Sequence, residues 1–155
     1  MIRIRRSIRE DIAELAKLRV CFFEEENVLD KDKKIMLEQK TIAYLDQHLD
    51  NDLIIWQAES RERVIATAFL EIAERLPHPA RPNGKIGTLL NVYTDKAFRR
   101  QGIAQQLVAA LITEGRESGL DKIELLATES GFPVYQRLGF KESQLPDKQM
   151  VLEFE

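Results

Sequence analysis

One cysteine, Cys21, is all the chain has, so no internal disulfide can form. The opening "MIRIRRSIRED" lacks the apolar core of a signal peptide, and no apolar run approaches the length needed to span a bilayer. A reducing cytoplasm is the simplest address. Only two histidines occur, His48 and His78, without Cys or carboxylate partners at ligand spacing. Both read as surface residues, and no metal is expected. An excess of basic charge is missing too: 26 acidic residues against 23 Lys and Arg leave a net charge of −3. That balance gives no reason to expect nucleic acid or a membrane surface as partner, so any anion site must be local. Repeats, low-complexity tracts and linkers are absent, while 44% of the 155 residues are hydrophobic. One domain spanning residues 1–155 with a well-buried core is expected.

The hydrophobic period changes several times along the chain. "MIRIRRSI" alternates apolar and basic residues through Ile2, Ile4 and Ile8, which predicts a strand. Ile12, Leu15, Ala16 and Leu18 follow at helical spacing, with Cys21 on the same apolar helix and read as core. A second helix runs through Ile35, Leu37, Ile42, Leu45 and Leu49 and ends near Asn51. "LIIWQAE" and "RVIATAFLEIA" surround a short turn and predict an antiparallel hairpin. "RLPHPARPNG" must be a loop, leading into a third long strand, "KIGTLLNVYT". A helix then begins near Ile103, and "KIELLA" predicts a short strand, "SGFPVYQRLGF" a short helix and "QMVLEF" a closing strand.

The start of that central helix carries the chemistry. It reads "RRQGIA", where helix starts ordinarily favour Ser, Thr, Asp or Asn and acidic neighbours. Cations at the positive end of a helix are unfavourable unless an anion arrives, and Gly102 lets a ligand approach the backbone. Ile103, Leu107 and Leu111 with Ala104, Val108 and Ile112 give the helix a wide apolar stripe that holds its N-terminus in place. No Gly-Lys-Ser/Thr follows the glycine, which excludes the nucleotide-triphosphatase loop. Only one of the three glycines of the dinucleotide fingerprint is present. A diphosphate bound without a magnesium ligand remains.

Arg99-x-x-Gly102-x-Ala104 after "NVYT" resembles the acetyl-coenzyme A motif of the GNAT superfamily of N-acetyltransferases. The downstream "ATESGFPVYQRLGF" is similar to that superfamily's second segment, where a tyrosine precedes a Leu-Gly-Phe ending. The two segments cover roughly residues 87 to 142, in order and at the usual separation. Lys96 departs from the Pro or Glu usual three residues before the motif arginine, a change confined to the loop. The resemblance implies an α/β (α+β) fold with a central mixed, mostly antiparallel sheet, flanking helices and strands that splay at the acetyl-CoA site.

It also implies acetyl transfer from acetyl-CoA to a primary amine by direct attack in a ternary complex. Such chemistry needs a neutral nitrogen, a stabilised oxyanion and a proton for the departing thiolate. By resemblance, the backbone of Val92 and Thr94 would hold the pantetheine and thioester oxygen. The N–H groups of Arg100, Gln101, Gly102, Ile103 and Ala104 would bind the pyrophosphate, with Arg99 or Arg100 close to its charge. Tyr135 matches the tyrosine that serves the coenzyme thiolate. A phenol near pKa 10 is a weak acid for a thiolate near 8.5, so hydrogen bonding to the developing charge describes its role better than full proton transfer. Gly131 and Pro133 shape the short helix's start, Gly139 stops it and Phe140 is core. A side-chain base is often found on the strand before the phosphate loop, at positions occupied here by Leu90 and Thr88, which cannot serve. Glu71 is the best carboxylate for that task. The acceptor would enter over the connection between the first two helices, where Glu24, Glu25, Glu26 and Asp30 form an acidic run suited to a cationic amine such as a diamine, polyamine or basic peptide end. Acetyl-CoA as donor, a small-molecule or peptide amine as acceptor, and no metal, nucleic acid or membrane are thus expected, and a homodimer is compatible with all of this. A non-catalytic acetyl-CoA sensor and a bare interaction module on the same fold are the alternatives, and Tyr135 speaks against both.

Overall fold

The computed structural model describes residues 1–154. Strand β1 (Ile2–Arg6) forms from the alternating start and pairs antiparallel with β2 (Leu53–Ser60). It ends at Arg6 and not at Ile8, because Ser7 turns inward and its hydroxyl donates to Gln57 Oε1 at 2.6 Å. Ile8 is left exposed, and Arg9–Asp11 make a single 3-10 turn ahead of α1 (Ile12–Glu26). Cys21, expected in the core, is exposed: Ile12, Leu15, Leu18 and Val20 define the buried face, while Cys21 lies with Lys17 and Glu24 on the outer one.

Helix α2 (Lys31–His48) starts at Asp30, whose carboxylate accepts the Lys33 N–H at 2.8 Å. It ends at His48, three residues short of Asn51, where Leu49 turns extended and buries itself in the core. Strand β2 and strand β3 (Arg63–Glu74) form the expected hairpin, turned through Arg61 and Glu62, both with positive φ. Strand β4 (Lys85–Thr94) pairs antiparallel with β3, and helix α3 (Ile103–Glu117) leads to β5 (Lys122–Glu124), which pairs parallel with β4. The sheet order is β1-β2-β3-β4-β5, mixed and mostly antiparallel, as expected. A short helix, α4 (Phe132–Arg137), follows.

Helices cover both faces of this sheet. Ile12, Leu15 and Leu18 of α1 and Leu45 of α2 pack on Leu53, Ile55 and Phe69; Leu107, Val108 and Leu111 of α3 pack on Ile54, Leu70 and Leu89 of the opposite face. Two glycines allow α3 to sit close. A Cβ on Gly87 would come within 2.8 Å of Leu70 and Leu120 side chains, and one on Gly115 within 3.0 Å of Leu120. Trp56 Nε1 donates to Glu114 Oε1 at 2.6 Å, which ties the far turn of α3 to β2. The start of α3 is therefore held by its whole length. No helix among the described residues is long and apolar enough to cross a membrane.

The closing strand expected from "QMVLEF" is not formed among the described residues. Met150, Val151, Leu152 and Phe154 are all exposed. The edge nearest in topology, β5, is only three residues long and stops before Leu125 and Leu126 of the "KIELLA" run. So short a template offers few ladder bonds against the entropy of ordering a strand.

One ion pair fixes the entry to α1. Arg5 donates to both carboxylate oxygens of Asp11, at 2.8 and 2.7 Å, and also reaches Glu59. These bonds hold the Asp11 carboxyl below its ordinary value, the Arg5 contact being the largest cause. Because the folded pKa is depressed, the stabilisation is full at neutral pH and is lost as pH falls through the carboxylate range below about 4. Asp11→Asn is expected to lower stability in urea at pH 7 and to flatten the further loss on acidification; an unchanged acid profile would remove Asp11 from that role.

Candidate active site

The chain leaves β4 at Thr94, makes a turn at Lys96–Phe98 in which Asp95 accepts the Ala97 N–H at 3.0 Å, and enters α3 through two left-handed residues. Arg100 has φ 64° and Gly102 has φ 74°. Gly102 occupies the cap position and brings no side chain to it; the first intrahelical bond runs from Gln106 N–H to the Gly102 carbonyl at 3.2 Å. The N–H groups of the first turn thus have no helical partner. A Cβ built on Gly102 meets nothing within 4 Å, so the space beside it is open.

That space belongs to a cavity of about 530 Å³. Val92 and Thr94 form one wall, residues 102–105 the base and Gly131, Val134 and Tyr135 the other wall. Its shape follows from an interrupted ladder: β5 pairs only with Ile86, Gly87 and Thr88 of β4, and from Leu89 onward that edge of β4 is free. The register with β3 also slips between Thr67 and Phe69, opposite Asn91, which has φ 51°. Strands that part company here create the cleft.

The two arginines of the motif part as well. Arg99 donates from Nη2 to Glu25 at 2.8 and 2.7 Å and from Nε to the Thr94 carbonyl at 2.7 Å, and its guanidinium lies over the Tyr93 ring. Arg100, at the cavity wall, makes no ion pair among the described residues. Arg137, which sequence reasoning did not single out, adds a cation to the same cavity, with Nε donating to Gln105 Oε1 at 3.4 Å. Gln101 lies outside the cavity wall and lines a separate surface pocket with Ile2 and Ile4.

Tyr135 lines the cavity together with Val92. Its ring packs edge-on against Phe140 at 5.9 Å, and its hydroxyl has no side-chain or backbone partner among the described residues. Burial pushes its pKa above the ordinary tyrosine value, so it keeps its proton. Gly131 precedes it because a Cβ there would approach the Tyr135 ring at 3.1 Å.

Glu71 lies on the other face, among groups from α1 and α2. Its Oε1 accepts the Tyr44 hydroxyl at 3.1 Å, and Tyr44 stacks on His48 at 4.1 Å. Burial, followed by the Glu71 charge, pushes Tyr44 to about 12. His48 is half-buried, and its Nδ1 lies 2.7 Å from Asp52 Oδ1, so it is neither a plain surface residue nor without a carboxylate partner. The spacing i, i+4 across the end of α2 supplies the contact that a ligand-motif reading overlooks. Of the acidic run, Glu24 pairs with Lys34 at 3.0 Å and Glu25 with Arg99 and the Tyr93 hydroxyl. Glu26 is exposed and makes no ion pair among the described residues.

A helix start of free N–H groups, flanked by cations and opening on a cleft between parted strands, gives this α/β domain a pocket whose chemistry suits an anionic ligand. Residues 12–140 match the Acetyltransferase (GNAT) family, and the chain belongs to that family of acyltransferases. It is similar to the structure of a predicted acetyltransferase with acetyl-CoA from Clostridium acetobutylicum, at 28% identity and a TM-score of 0.82, covering 99% of this chain and 96% of that one. A GCN5-related N-acetyltransferase from Ralstonia eutropha is similar at 27% identity and a TM-score of 0.78, over 97% and 99% of the two chains. A curated relative, glucosamine 6-phosphate N-acetyltransferase from Trypanosoma brucei brucei, is 28% identical over 79 residues, 51% of this chain. The match spans about half the length of that relative, 52%.

Proposed function

We propose that the protein is an acetyl-CoA-dependent N-acetyltransferase that acetylates a primary amine of a small molecule or peptide within a ternary complex. The observation that carries this reading is the cavity joining the start of α3 to Tyr135 along the free edge of β4. Its residues suit acetyl-CoA: open space beside Gly102, unpartnered N–H groups and the Arg100 cation match a diphosphate, and the narrow cleft matches the pantetheine arm. When bound, acetyl-CoA supplies a thioester-activated acetyl group.

In this reading the N–H groups of Arg100, Gly102, Ile103 and Ala104 and the Arg100 side chain hold the diphosphate, while Arg99 is positioned by Glu25 to brace the loop. The backbone of Val92 and Thr94 lies alongside the pantetheine and the acyl oxygen. Tyr135 donates its hydroxyl hydrogen to the sulfur as charge develops there; its raised pKa suits a hydrogen bond more than complete proton transfer. The acceptor amine, with a pKa of about 10.4, must shed a proton before it attacks. Glu71 is in register with Thr88, four residues before Val92, or about 13 Å along the strand. It would therefore act through water, as the end of a relay. Glu26, exposed and without an ion pair among the described residues, is the member of the acidic run left to meet a cationic acceptor directly.

Incubation of the protein with acetyl-CoA and a panel of amines tests the proposal by release of free thiol. The panel comprises a diamine, an amino acid, a basic peptide and glucosamine 6-phosphate, the last suggested by the trypanosomal relative's name. Thiol release with at least one of them is expected. Calorimetric binding of acetyl-CoA without release would indicate a sensor, and no binding at all would leave only an interaction module.

A further inference from the structure

Arg19 on α1 has no role in the mechanism above, yet it is placed with unusual care. It is half-buried, and burial is the largest cause lowering its pKa from the ordinary arginine value. Its Nη1 donates to Asn91 Oδ1 at 2.7 Å, and its guanidinium lies 4.8 Å from the centre of the Phe23 ring. Among the described residues it has no carboxylate within ion-pair distance. The Glu71 charge acts on it from beyond ion-pair distance and is itself engaged by the Tyr44 hydroxyl. A partly desolvated guanidinium that rests on a neutral amide and an aromatic face keeps most of its five donors unused.

The amide itself is locked. Thr67 Oγ1 donates to the Asn91 carbonyl at 3.1 Å, and the Asn91 Nδ2 group donates back to Thr67 Oγ1 at 3.2 Å. That pairing turns the amide oxygen toward Arg19 and leaves Asn91 buried in its left-handed conformation. The next residue is Val92, in the wall of the cavity described above. Arg19 is thus fastened, through one amide, beside the point where β4 passes from the α1 and α2 face to the cleft. A rigidly oriented, partly buried cation with no carboxylate in ion-pair contact among the described residues is an arrangement that can recognise an anionic group brought by a ligand.

We propose that Arg19 binds an anionic group, carboxylate or phosphate, carried by the same molecule as the acceptor amine. The inference rests on the acetyltransferase reading and narrows its acceptor to amines bearing a negative charge. It runs against the diamine preference that the acidic run alone would produce, in keeping with the pairing of Glu24 to Lys34 and Glu25 to Arg99.

The test compares kcat/KM for four acceptors of similar length: a simple monoamine, a diamine, an amino acid and an amino-alkyl phosphate. In the parent protein the better of the two anionic amines should exceed the monoamine by about 10²-fold, the scale of a charge-assisted paired contact. Whichever of the two wins identifies the anion as carboxylate or phosphate. In Arg19→Gln that ratio should fall to about one, through the acceptor KM, while the KM for acetyl-CoA holds. Asn91→Asp is the second variant: it keeps Arg19 and the shape of the side chain, tolerates the left-handed backbone, and supplies a counter-charge from within, so the ratio should fall there too. A parent preference for the monoamine or diamine, or an unchanged ratio in both variants, overturns the proposal. Should no amine be turned over, the acetyltransferase reading fails by itself, and the Arg19 Nε–H resonance decides the anion site. A shift on adding the amino acid or amino-alkyl phosphate supports it, and no shift with either overturns it.

Discussion

Gly102→Glu is expected to abolish acetyl-CoA binding while leaving the protein folded. The backbone at Gly102 is left-handed, φ 74°, which costs a residue with a side chain about 1 kcal/mol, less than a domain's margin of stability. Apart from the residue itself and its two chain neighbours, no described atom stands within 4 Å of the new Cβ, so packing does not suffer. The glutamate would even suit the positive end of α3 and could accept from its free N–H groups. Those are the groups that the diphosphate needs. A carboxylate about 4 Å from a phosphate charge, at an effective dielectric of about 20, repels it by about 4 kcal/mol, or about 10³-fold in affinity. Gly102→Ala carries the backbone strain without the charge and should retain most of the binding. Calorimetry on the two variants separates the terms, and a Gly102→Glu protein that binds as the parent does would remove the diphosphate from this helix start.

The second large effect concerns Tyr135→Phe, which should lower kcat by about 10²-fold with little change in cofactor affinity. The ring packs against Phe140 and the rest of the α3 side of the core, and phenylalanine keeps that packing. What disappears is a hydroxyl with no protein partner among the described residues, at a cavity wall, whose pKa is raised by burial. Since it stays protonated, it can donate to a developing thiolate throughout the neutral range. The parent should accordingly show no loss of turnover from tyrosine ionisation below pH about 10. Single-turnover rates, where chemistry is limiting, are the readout, and an unchanged rate in Tyr135→Phe would reduce the residue to packing.

Much of this architecture is legible because local pattern and tertiary role agree. Ile103, Leu107 and Leu111 recur at helical spacing and are buried against the sheet, and the odd sequence "RRQGIA" reads as an anion site because its charge conflicts with the helix end it occupies. Patterns fail where the deciding contact is distant in sequence. Ile8 continues the alternation of β1, but the Ser7 hydroxyl reaches across to Gln57, 50 residues away, and turns the chain. The run "QMVLEF" has strand character without a partner edge long enough to use it. Arg19 reads as one more charge on an amphipathic helix, and only the fold brings it to Asn91, 72 residues on. Glu25 likewise resembles free acidic surface until Arg99 closes on it. Charge runs describe what a segment carries, whereas pairing is a property of the folded chain.

The central claim is that acetyl-CoA lies between the start of α3 and Tyr135 along the free edge of β4. Titration of ¹⁵N-labelled protein with acetyl-CoA, followed by assigned backbone amide resonances, tests it most directly. The largest shifts should fall on Arg100, Gly102, Ile103 and Ala104, with a second group at Val92 and Thr94, and a diphosphate-free analogue should leave the first group unmoved. Saturable binding that shifts amides elsewhere and leaves Gly102 to Ala104 unmoved would contradict it.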